Sequence, residues 1–133
     1  MTTILVPISP GELIDKITIL RIKAQRMRDP AKVANVRHEL QLLEATWRES
    51  ASGAVDISAE ERALEAVNGR LWEIEDDIRD HESRHAFDQG FIELARAVYV
   101  NNDERAAIKK CINLKLGSKI VEEKSYKDYR KGG

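Results

Sequence analysis

A chain of 133 residues with 42% hydrophobic and 34% charged residues has enough length for one domain with a real core, without disulfide or metal staples. Its 22 Lys/Arg against 23 Asp/Glu leave a formal charge of −1, which weighs against nucleic-acid binding by phosphate neutralisation. The single Cys111 forms no intrachain disulfide, no apolar run approaches a membrane span, and no leader-like segment opens the chain, so a cytoplasmic protein is expected.

Residues 2–8 are β-branched and extended in character. Pro7 excludes a central strand but allows an edge strand or a docked arm. Ser9-Pro10-Gly11-Glu12 is a helix start: Ser9 caps, Pro10 takes the first helical position, and Glu12 completes a capping box. The first helix is predicted to reach about Arg28. Leu13, Ile14, Ile17, Leu20 and Ala24 face one way, and Ile19 and Ile22 widen the apolar surface. Such a helix should be covered from more than one side.

Asp29-Pro30 repeats the cap-and-proline logic. Val33, Val36, Leu40, Leu43 and Trp47 then step by three and four, predicting a second helix to about Glu49. Residues 50–56 read as a loop. Ser58 and Glu61 make a further capping box. The third helix should run to about His85, burying Leu64, Val67, Leu71, Ile74, Ile78 and His81. Glu73, Asp76, Asp77 and Asp80 gather on its other side. Asp88 caps the last helix, with Phe87 and Ile92 in the positions of a hydrophobic staple. Phe87, Phe91, Leu94, Val98, Asn101, Arg105, Ile108 and Ile112 keep one seam. This favours an unbroken helix to about Leu116 with Gly117 as the left-handed cap. A break at Asn101-Asn102-Asp103 is the alternative. Residues 118–126 form a tail that pairs with the arm or drapes over the bundle, and 127–133 read as disordered.

Residues 1–38 hold seven Lys/Arg against three Asp/Glu, residues 39–104 six against seventeen, and residues 105–133 nine against three. Basic ends and an acidic middle suggest that both ends fold back on the third helix. The expected fold is an all-α, antiparallel bundle of about four helices, one domain over 1–126, with an extended N-terminal arm. The long helices suggest an elongated bundle completed by a second copy.

Three places invite chemistry. First, Asn101 and Arg105 put a polar layer into an apolar seam, either as a structural ion-pair layer or as the lining of a pocket for an anion. Arg105 needs a carboxylate, for which Glu75, Asp76 and Asp15 are the candidates. Arg79 lies four residues after Glu75. Second, Glu73, Asp76, Asp77 and Asp80 have a spacing that can hold Mg²⁺ with substrate phosphates. All-α nucleotide pyrophosphohydrolases use E-x-x-E and E-x-x-D helices. Glu73-x-x-Asp76 matches the second of these, and Glu61-x-x-x-Glu65 only approximates the first. A solvated acidic face is the plainer reading. Third, His81-Glu82-Ser83-Arg84-His85 satisfies H-E-x-x-H literally. No later His supplies a third ligand, so two histidines favoured by a helix C-terminus are the simpler account. Cys111 reads as a packing thiol.

Ser9–Leu20, Leu71–Arg79, Asn102–Arg105 and Gly117–Tyr126 together resemble a family of small uncharacterised bacterial proteins, a domain of unknown function. The resemblance covers most of the chain. It implies a bacterial cytoplasmic protein and, since related segments occur near glycan-assembly genes, a link to that process. It implies no activity and no catalytic residues. Leu13–Ile17 also resembles the first helix of all-α chorismate mutases, and that match stops there.

The resulting expectation is a non-enzymatic accessory or protein-interaction bundle that self-associates, needing no cofactor, with no nucleic-acid partner. The rival is a metal-dependent nucleotide or phosphate-ester enzyme, with Mg²⁺ on the acidic helix and a site built from Asp15, Glu75, Asp76, Arg79, Asn101 and Arg105. An apolar stripe left exposed would favour the first reading. A pocket where those groups converge would favour the second.

Overall fold

The computed structural model describes residues 2–50 and 55–132, the last two by backbone alone. Most of the expected 50–56 loop, and Gly133 at the tail's end, lie outside the described residues. Four helices carry the fold: α1 (Pro10–Arg26), α2 (Pro30–Glu49), α3 (Ser58–Ser83) and α4 (Gln89–Lys115). A short 3-10 turn, Tyr129–Gly132, follows the irregular segment after α4. The architecture is the all-α bundle that the periodicity predicts. Among the described residues there is no strand, and no helix is long and apolar enough to cross a membrane.

Local chemistry sets most of the boundaries. Ser9 Oγ accepts from the Glu12 N–H at 3.2 Å, and Pro10 opens α1. The helix ends at Arg26, two residues short of the predicted limit, where the Met27 N–H closes on the Lys23 carbonyl at 2.9 Å. Asp29 caps α2 through the Ala31 N–H at 3.0 Å. The start of α3 differs from expectation. Ser58 is its first helical residue and makes no side-chain cap. The Asp56 carboxylate accepts the Ser58 N–H instead, at 2.9 Å, and buried Ile57 anchors the entry in the core.

Helix α3 stops at Ser83 because His85 takes a left-handed backbone, φ +53°, which no helical residue adopts. Asp88 caps α4 through the Phe91 N–H at 3.1 Å. The staple is replaced: Phe87 and Ile92 both stay about half exposed, and Phe87 meets Phe91 edge-on with centroids 5.3 Å apart. Helix α4 runs unbroken through Asn101–Asp103. The Asn101 side chain donates back to the Ala97 carbonyl at 2.8 Å rather than capping a new helix. Gly117, at φ +62°, turns the chain so that the Ser118 N–H reaches the Asn113 carbonyl at 2.9 Å.

The hub is α1 rather than the acidic α3. It packs on α2, α3 and α4, whereas the backbone of α2 approaches no helix but α1. Leu13, Ile14 and Ile17 of α1 meet Ile57, Leu64 and Val67 at the start of α3 and Ile112 near the end of α4. Leu40, Leu43 and Trp47 of α2 close over that cluster, yet α2 has no fully buried residue.

At 26 and 27 residues, α3 and α4 are about 40 Å long at 1.5 Å per residue, and outrun the 17-residue α1. Their far halves form a two-helix extension in which Leu71, Ile74, Ile78, Leu94 and Val98 are only half-buried. The basic ends do meet the acidic middle. Arg21 lies 2.8 Å from Glu61 and 3.4 Å from Glu44, Arg26 pairs with Glu73, and Lys115 lies 2.6 Å from Glu60. Cys111 faces outward instead of packing. It sits one residue before Ile112, off the seam.

Candidate functional site

The polar centre of the molecule lies where α1 crosses α4. Asp15 sits one residue after Ile14 on a helix wrapped on three sides, and only 1% of its surface is exposed. Arg105 of α4 holds both its carboxylate oxygens, with Nε 2.9 Å from Oδ1 and Nη2 on Oδ2. Asn68 of α3 donates to the same Oδ1 at 2.9 Å and to Thr18 Oγ1 at 3.0 Å. Burial alone would raise the Asp15 pKa. The hydrogen bonds from Arg105 and then Asn68 outweigh it and hold the carboxyl below its ordinary value. Arg105 is held above its own ordinary value, chiefly by the bond to Asp15.

One turn further along α4, Lys109 Nζ reaches Glu12 at 2.6 Å and Glu122 of the tail at 3.1 Å. Burial would lower the Lys109 pKa, but these two carboxylates raise it overall. Glu122 also accepts from Ser9 Oγ at 2.6 Å. The residue that caps α1 therefore ties the tail down as well. At the end of α4, Asn113 Oδ1 accepts the Gly11 N–H at 2.7 Å. Gly11 has no side chain because a Cβ there would lie 2.6 Å from the Lys109 carbonyl oxygen.

The tail runs over α4 and touches it again through a Lys124–Asp103 ion pair and a Tyr129–Tyr99 ring contact at 4.9 Å. Between tail and helix lies a cleft of about 850 Å³. Arg105, Asn102 and Lys109 line it from α4, and Lys124, Lys127 and Arg130 from the tail. A second, more apolar hollow of about 740 Å³, with Val100, Leu114, Ile120 and Val121 among its walls, lies alongside.

Of the residues singled out in the sequence, Asp15 and Arg105 come together. Asn101 is turned to the other flank of α4, where it accepts from Arg70 Nε at 3.0 Å. Glu75 lies 3.5 Å from Arg79 on the exposed extension of α3, and Asp76 beside it is exposed. Two of the four carboxylates gathered on α3 are drawn off separately: Glu73 by Arg26 and Asp80 by Arg84 at 3.0 Å. Among the described residues, no three His, Cys, Asp or Glu side chains gather closely enough to hold a metal ion. His81 Nδ1 lies 2.9 Å from the Ala86 carbonyl oxygen, closing the α3–α4 turn.

Sequence reasoning missed Thr18, Asn68, Lys109, Asn113 and Glu122. One signal was available for Thr18. Asp15, Thr18 and Ile22 share a second face of α1 at i, i+3 and i+7, and that face is buried.

The buried pair makes stability acid-sensitive. A carboxyl whose folded pKa lies below its unfolded value stabilises the fold above the unfolded value, and that contribution is lost as pH falls through the folded one. Asp15 and Glu122, ordinarily 3.8 and 4.5, are both lowered in this way. Unfolding free energy is therefore expected to decline below about pH 4. Asp15→Asn is expected to flatten the decline in urea titrations run across pH. An unchanged slope in that variant would place the acid sensitivity elsewhere.

No curated protein and no solved structure gives a match to this chain. A sequence model of a family of unknown function, DUF6165, matches residues 4–130, which is nearly the whole chain with its arm, hub and tail, and the chain belongs to that family.

Proposed function

We propose that this protein is a non-enzymatic interaction module that self-associates through its N-terminal arm. The observation that carries the reading is the arm itself. Ile4, Leu5 and Val6 stand 79%, 90% and 64% exposed on a segment outside any helix that leads into Ser9, the cap of α1. Burying such a side chain is worth about 1.5–3 kcal/mol, so three in a row form an adhesive strip that the chain's own core leaves uncovered. Leu42 of α2, 53% exposed on a helix without a buried residue, adds apolar surface. The reading is further supported by the placement of Glu75, Asp76 and Arg79 on the exposed far half of α3, apart from the Asp15–Arg105 pair. Exposed, unpaired Cys111 fits a reducing compartment such as the bacterial cytoplasm.

Light scattering of the eluting protein is expected to give at least twice the chain mass of 15.1 kDa. The double substitution Ile4→Asp, Leu5→Asp is expected to yield a monomer that melts no lower than the wild-type protein compared as a monomer. A wild-type chain that stays monomeric at its solubility limit sinks the self-association reading.

A further inference from the structure

We propose that the cleft between α4 and the C-terminal tail binds an organic phosphate, the phosphate held by Arg105, Lys127 and Arg130 and a flat ring laid on Tyr126. This inference is independent of the arm. The cleft gathers what such a ligand needs. Five cationic side chains line it: Lys109 and Lys124 are engaged by Glu12, Glu122 and Asp103, while Arg105, Lys127 and Arg130 keep donors that no carboxylate takes among the described residues. The chain has three tyrosines, and Tyr99, Tyr126 and Tyr129 all line this one cleft. A chain with 5% aromatic residues that places every tyrosine at one site has concentrated its ring-binding surface there.

The orientation of Arg105 is the second argument. Asp15 takes its Nε and Nη2 from behind. Nη1 is left over and points to Asn102, another lining residue, at 3.4 Å, longer than an ordinary hydrogen bond. The guanidinium plane is thereby fixed with Nη1 only loosely held, by a residue that lines the cleft with it, and a phosphate oxygen is a stronger acceptor for that nitrogen. On the opposite wall, Lys127 has no ion-pair partner among the described residues. Arg130 uses Nε on Asp128 at 3.1 Å, which leaves its terminal nitrogens for a ligand. The volume of about 850 Å³ falls in the usual range for small-molecule sites. Tyr126 is 84% exposed at the mouth, a ring face with nothing on it.

The test is calorimetric titration of the full chain with inorganic pyrophosphate, ADP and adenosine. Saturable binding is expected for pyrophosphate and for ADP, tighter for ADP, with none for adenosine. Lys127→Ala with Arg130→Ala removes two exposed tail cations and is expected to weaken ADP about tenfold or more, the effect of losing one charge-assisted bond, with an unchanged melting temperature. Asp15→Asn with Arg105→Gln replaces the buried ion pair by a neutral hydrogen-bonded pair and is expected to weaken pyrophosphate and ADP alike. Tyr126→Ala is expected to bring ADP down to the affinity of pyrophosphate. No saturable binding of pyrophosphate or ADP overturns the proposal. So does adenosine binding as well as ADP, ADP binding no tighter than pyrophosphate, or affinities that survive these substitutions.

Discussion

Arg105→Ala is expected to destabilise the fold by about 3–5 kcal/mol, the usual result of removing one partner of a buried ion pair. The argument rests on which charge is stranded. Asp15 is 1% exposed and cannot turn to water. Without Arg105 its carboxylate keeps only the Asn68 amide, so it must stay ionised in a poor environment or take up a proton. The reverse truncation is milder. In Asp15→Ala the stranded group is Arg105, whose side chain is 31% exposed and can rehydrate. Asn68 keeps its bond to Thr18. Urea unfolding of both variants should therefore rank Arg105→Ala well below Asp15→Ala. Equal losses would mean that the cost lies in the lost contact and not in the buried carboxylate.

Gly11→Ala is expected to cost at least the upper end of the roughly 1–3 kcal/mol typical of overpacking. The new Cβ would meet the Lys109 carbonyl oxygen at 2.6 Å and Asn113 Oδ1 at 2.9 Å. The first is helical backbone of α4, so no side chain can swing away to make room. Relief requires the start of α1 to lift from α4, which would also lengthen the 2.7 Å bond from the Gly11 N–H to Asn113. Gly69, whose Cβ would meet nothing within 4 Å, is the control. At that half-buried but open helical position, alanine is expected to be neutral or stabilising by up to about 1 kcal/mol. Thermal melts should show Gly11→Ala lowered and Gly69→Ala unchanged or raised. A Gly11→Ala protein as stable as wild type would show that α1 and α4 are less closely apposed than their hydrogen bond implies.

The helices were legible because their signals are local. Ser9-Pro10, Asp29-Pro30 and Asp88 each announce a start within four residues, and each caps as its chemistry predicts. The α4 seam from Phe91 to Ile112 kept its phase through Asn101–Asp103, and the helix did too. Ser58 misled because Ile57, whose pull is into the core, fixes the entry geometry instead.

The site was legible only as a need. An Arg in an apolar seam demands a carboxylate, and Asp15 was among three candidates. Nothing on α1 by itself says that Asp15 rather than Glu75 answers, because the choice depends on how helices 90 residues apart in sequence cross. Asn113 and Lys109 were invisible for the same reason, each bonding a residue about a hundred positions away. The tail's contribution is harder still. Tyr126 sits on irregular chain and Tyr129 opens a short 3-10 turn, and their meaning comes only from lining one cleft with Tyr99.

The crossing of α1 on α4 also sets a schedule for synthesis. The hub helix is made first, and the partner that buries Asp15 and covers Gly11 is made last. At a translation rate of about 5–20 residues per second, the 102 residues between Gly11 and Asn113 take on the order of 5–20 s to produce. Through that interval Leu13, Ile14 and Ile17 lack the surface contributed by Ile112. The nascent chain therefore carries an apolar helix that stays unclosed until the end of α4 has been made, and the order of synthesis delays closure of the core to that point.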